Sequence, residues 1–175
     1  EVEIVIPRFR VASVFDISQT DGEPLPELET PELMGSVENF KVFMKAVQEV
    51  SPVPVRFDEI SSGAKGYYSN TEKEIVIQNG MSESQTMKTG IHEVTHAMLH
   101  DRDFMEEQGE KKNQMTKEVE AESVAYTVCQ YFGLDTSDYS FPYIAGWSSS
   151  MDMKELRTSM DTIRKTAGSF IDSMT

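Results

Sequence analysis

The chain has 175 residues, with 38% hydrophobic and 26% charged side chains, a balance that predicts one globular domain with its own core. A formal net charge of −14 and a pI near 4.6 make a surface that repels phosphate backbones, so direct nucleic-acid binding by this domain is not expected. No apolar run approaches the ~18 residues of a membrane span, no basic start with an apolar stretch marks a secretory signal, and the single cysteine, Cys129, has no partner for an internal disulfide; a cytoplasmic location is expected.

In chain order, residues 1–31 predict an extended opening segment and loop. Val11, Val14, Phe15 and Ile17 favour extended backbone, and three prolines follow before residue 32. Leu33, Val37, Phe40, Met44 and Val47 recur at spacings of three and four, which predicts an amphipathic helix over Glu32–Val50 ended by Pro52. Pro54–Ile60 reads as a strand, and Gly63 and Gly66 bracket a turn into Tyr67 and Tyr68. Glu74–Gln78 is the clearest strand, closed by Asn79-Gly80. Ser82 or Ser84 caps a long helix through Leu99. Asp101–Lys112 reads as a charged loop, and Gln114–Phe132 as a helix that Gly133 terminates. Asp135–Tyr143 reads as a loop, and Asp152–Met174 as a last amphipathic helix carrying Met160, Ile163, Ala167 and Phe170. The expected class is α+β, a small mixed sheet packed on one helix with further helices around it. The lack of an initiating Met suggests a domain excised from a longer protein.

Residues 92–96 read His-Glu-Val-Thr-His. Histidines four apart on a helix share one face, about 6 Å apart along the axis. Both imidazoles can therefore reach one metal ion, and Glu93 between them points into the same cleft. Ile91, Val94 and Met98 would anchor the opposite face. All three histidines of the chain fall within residues 92–100, a concentration that favours a zinc site over scattered surface histidines. His100 lies about 12 Å beyond His92 along a continuing helix, too far to share that ion. It is expected beside the ligands or at the helix end.

A catalytic zinc keeps three protein ligands and one open position. Glu118 and Glu122 lie four apart in Lys117-Glu118-Val119-Glu120-Ala121-Glu122 and share one helix face, with Glu120 expected to look elsewhere. Glu118 suits the third ligand, and Glu122 suits a carboxylate that orients a ligand histidine. The competing reading is a solvated acidic face.

With these residues in place, the chain resembles zincin-like metallopeptidase domains of the ImmA/IrrE group and of the ArdC antirestriction and LtrC-like proteins of mobile elements, such as conjugative transposons. The matching stretches are Val14-Phe15-Asp16-Ile17-Ser18-Gln19-Thr20 with Pro24-Leu25-Pro26, the Ile91–His96 helix with His100, the Lys117–Glu122 helix, and Tyr143-Ile144-Ala145-Gly146-Trp147. The resemblance implies a single zincin-like domain over 1–175, with His92, His96 and Glu118 as zinc ligands and Glu93 as catalytic base. It further implies a hydrolase acting on a protein or peptide substrate, and a possible DNA-binding domain elsewhere in a longer chain. The acidic helix departs from the wording of the family motif.

Tyr67, Tyr68 and His100 are candidates to stabilise an oxyanion, and the strand around Ile75–Ile77 could take a peptide as an added strand if its edge is exposed. The rival to a peptidase is an acidic antirestriction or binding module that retains the fold without proteolysis.

Overall fold

The computed structural model describes residues 33, 35, 37–137, 140 and 153–175. The opening segment through residue 31, the expected loop over most of Asp135–Tyr143 and the Tyr143–Trp147 stretch lie outside the described residues. The described elements run α1 (Phe40–Val50), β1 (Val55–Asp58), β2 (Gly66–Ser69), β3 (Glu74–Gln78), α2 (Glu83–Leu99), α3 (Arg102–Gln108), α4 (Gln114–Tyr131) and α5 (Met153–Met174). The fold is α+β, as expected.

The three-strand sheet has the order β1-β3-β2. β1 pairs parallel to β3, with Val55 opposite Ile75, and β2 pairs antiparallel, with Tyr67 opposite Val76. The middle strand is the most apolar: Ile75, Val76 and Ile77 are fully buried. Its position between two neighbours leaves no free edge, so the expectation that Ile75–Ile77 could accept a peptide strand does not hold. Beside the cleft, the strand at the sheet edge is β2.

α2 packs against the sheet on one side and α4 on the other, while α5 covers α4 and α1. Met87, Ile91, Val94 and Ala97 from α2 join Val124, Ala125, Val128 and Cys129 from α4 and Phe170 from α5 in one core. Burying a side chain such as Ile91 contributes roughly 1.5–3 kcal/mol. Ser82 caps α2 by accepting from the Gln85 amide, and Gly133, with φ 79°, ends α4 in a conformation that side chains resist.

Three expectations for the helices fail. α1 begins at Phe40, because Asn39 sits in the left-handed region at its N-cap (φ 58°). Leu33 and Val37 instead donate their amides to the Gln85 and Glu83 side chains at the start of α2. Residues 102–108 are helical, because Asp101 accepts from the Asp103 and Phe104 amides, both at 3.1 Å. Met160, assigned to the apolar face of the last helix, is 59% exposed.

Candidate metal centre

The 3.6-residue turn of α2 stacks Lys88, His92, His96 and His100 along one stripe facing α4. Glu118 lies opposite His92 and His96, and Glu122 opposite Lys88 and His92. The two helices therefore run antiparallel, and a spacing of four on one meets a spacing of four on the other.

His92 Nε2 and His96 Nε2 are 3.1 Å apart. Glu118 Oε2 stands 3.4 Å from the first and 3.5 Å from the second. These three donors form a group that can hold a metal ion. Gln114 Nε2 donates to Glu118 Oε1, which leaves Oε2 turned to the histidines. The expected ligand set is thus brought together.

Behind the donors lie two groups of buried polar side chains. Glu122 Oε2 stands 3.3 Å from His92 Nδ1, in ion-pair range though not aligned as a hydrogen bond. The same oxygen accepts from Lys88 Nζ at 2.7 Å, with both side chains only 4% exposed, and Ser140 Oγ donates to Oε1. On the other side, His100 caps α2 with its Nδ1 3.0 Å from His96 Nδ1. His100 Nε2 lies 2.9 Å from Glu120 Oε2, which also accepts from Lys112 Nζ at 2.9 Å. Glu120 does not look elsewhere: it is fully buried against His100.

Electrostatics follow from this crowding. Burial of the His92 ring works against its charge, but Glu118 and Glu122 outweigh that and raise its pKa to about 9. His92 and His96 hold the Glu118 carboxyl well below the usual carboxylate range. Burial opposes the charge on Glu122, yet His92 and Lys88 bring its pKa down to about 2. Burial lowers the pKa of His100, with Glu120 opposing. Burial likewise lowers that of Lys88 against the pull of Glu122. Cys129 is a core thiol pushed up to about 12 by burial.

The centre sits at the waist of a cleft formed by two cavities of about 320 Å³ each, which share Gly66, His92, Glu93 and Glu118. Glu93, 8% exposed, lines both. Gly66 lets β2 lie directly on α2 here, since a Cβ at that position would stand 2.7 Å from Thr89 Cγ2 and 3.2 Å from Glu93 Cγ. Of the oxyanion candidates, Tyr67 is 41% exposed and lines the cleft. The Tyr68 hydroxyl is committed as a donor to Asp101, and His100 is committed to His96 and Glu120.

Sequence reasoning missed Lys88, Lys112, Gln114 and the inward turn of Glu120. Lys88 had a signal, since it lies four residues before His92. Glu120 had none, because a helix buried on several sides hides residues that spacing alone would expose to water.

In comparison with known proteins, an uncharacterized protein of Bacillus anthracis is 29% identical over 182 residues, covering 93% of this chain and 30% of that protein. The chain thus spans about 30% of the length of the curated relative it matches. No family model matches the chain, and no solved structure matches it.

Proposed function

We propose that this chain is a zinc-dependent metallopeptidase in which His92, His96 and Glu118 hold the metal and Glu93 is the general base. One observation carries the reading. Donor atoms ~2.0–2.1 Å from a tetrahedral zinc stand about 3.3 Å from one another, and the three sides here are 3.1, 3.4 and 3.5 Å. When bound, zinc supplies Lewis acidity that activates water and polarises a carbonyl.

The rest of the chemistry belongs to the chain. Glu93 takes the proton of the attacking water and delivers it to the departing amine nitrogen. Tyr67, which lines the same cleft, donates to the carbonyl oxygen as charge develops there. β2 borders the cleft at the sheet edge, so a substrate backbone can align along it. The resemblance to ImmA/IrrE and ArdC or LtrC-like domains agrees with this reading and points to a cytoplasmic protein substrate.

The net charge of −14 favours a second reading, an acidic binding module without proteolysis. Glu93→Gln separates the two when assayed on an unbiased peptide library. The peptidase reading expects zinc to be retained and hydrolysis to fall by about 10²–10⁴-fold. Hydrolysis unchanged in Glu93→Gln, or absent from the zinc-loaded parent, would remove the peptidase reading.

A further inference from the structure

His96 is the ligand without a carboxylate of its own. Glu122 faces His92 directly, whereas His96 turns its Nδ1 to another imidazole, that of His100. Proton bookkeeping along that contact has one solution if His96 Nε2 is to bind a metal. Nε2 must then carry a lone pair, so the neutral ring bears its hydrogen on Nδ1. That hydrogen points at His100 Nδ1, 3.0 Å away, which must accept it. His100 is then protonated on Nε2, which donates to Glu120 Oε2 at 2.9 Å. The carboxylate is held in turn by Lys112 Nζ, also at 2.9 Å.

Burial gives the chain of bonds its force. The side chains of His100 and Glu120 are 2% and 0% exposed, and that of Lys112 is 14% exposed. Water has little access to replace a missing partner, so each group dictates the hydrogen position of the next. Each ligand histidine thus turns its Nδ1 toward a buried polar group. His92 is backed by Glu122 and Lys88, and His96 by His100, Glu120 and Lys112.

We infer that His100 and Glu120 are positioning residues for the metal centre, fixing the tautomer and ring orientation of His96 through the relay His96–His100–Glu120–Lys112. This inference rests on the reading of His92, His96 and Glu118 as zinc ligands. Outer partners of ligand histidines typically change metal affinity by about 10–100-fold when removed.

The test combines two readouts on the whole chain. Zinc affinity, measured by competition with a chromophoric chelator, is expected to weaken about 10–100-fold in His100→Phe. That variant keeps an aromatic ring and removes the acceptor. Glu120→Gln keeps shape and an acceptor while removing the charge, so a smaller loss in the same direction is expected. Nitrogen-15 ring spectra of the zinc-loaded parent provide a readout that needs no variant to fold. They should show His96 protonated on Nδ1 and His100 protonated on Nε2. His100 protonated on Nδ1, or both variants binding zinc within about twofold of the parent, overturns the relay and leaves the ligand assignment standing. Failure of the metal-free parent to take up added zinc overturns both.

Discussion

On the metal-site reading proposed above, a proton and a metal would compete for the His92 ring. Burial opposes the charged ring, but Glu118 and Glu122 hold its pKa up at about 9 in the metal-free protein, so near neutrality a proton must leave before zinc can enter. Zinc affinity should therefore fall as pH drops below about 9, by about tenfold between pH 8 and pH 7. Chelator competition at the two pH values checks this, and a flat profile would contradict it. The linkage to folding has the opposite sign. A raised histidine pKa contributes stability that is fully present below about 6.5 and is lost as pH rises through about 9. The metal-free protein should thus lose stability across the range in which its metal affinity grows.

Lys88 poses a separate question at the same scale, because it is paired with Glu122 with both side chains 4% exposed. Removing Lys88 takes away the closest cation on Glu122 and leaves that carboxylate to His92 and Ser140, a loss toward the lower end of the about 3–5 kcal/mol of a broken buried pair. Lys88→Met should lose about 3 kcal/mol in urea unfolding of the metal-free protein. A loss below about 1 kcal/mol, the range of an exposed pair, would contradict a strong buried pair between Lys88 and Glu122.

Among the elements, the contact of β2 with α2 decides the width of the cleft. An alanine at position 66 would place Cβ 2.7 Å from Thr89 Cγ2 and 3.2 Å from the Val76 carbonyl oxygen. Neither neighbour is the end of a flexible side chain, so β2 must move off α2. Gly66→Ala should cost about 1–3 kcal/mol. Adding Thr89→Ser, which removes the methyl group, should recover part of it. Equal stability of Gly66→Ala and parent in thermal unfolding would mean that the two elements do not touch as described.

Element periodicity is also where the sequence was most legible. The sequence reads β3 with its observed bounds, α2 with Ser82 as one of two N-cap candidates, and α4 from its first residue with Gly133 just past its end, because these signals and the apolar spacings act locally. The start of α1 was not legible. The amides of Leu33 and Val37 are satisfied by side chains about 50 residues away, and no local pattern encodes that. α3 was concealed by its charge, although Asp101 before it and Gly109 after it are ordinary helix boundaries.

Across the whole molecule, the centre depends on three elements distant in sequence. α2 supplies two histidines and Glu93, α4 supplies Glu118, and β2 closes one wall of the cleft. The His-Glu-Val-Thr-His pattern and the four-residue spacing of Glu118 and Glu122 made the first layer readable, because one helical turn is a local fact. The layer behind it was not readable. It arises where α4 is enclosed by α2 and α5, so that Glu120 turns inward to His100 instead of to water. Among the described residues no helix is long and apolar enough to cross a membrane.

Whether this chain holds zinc through His92, His96 and Glu118 is decided by its zinc content, measured by elemental mass spectrometry of parent and His96→Ala prepared without chelator. Close to one zinc per chain is expected in the parent and almost none in the variant. Equal zinc in the two proteins, or its absence from both, would contradict a metal held by His92, His96 and Glu118.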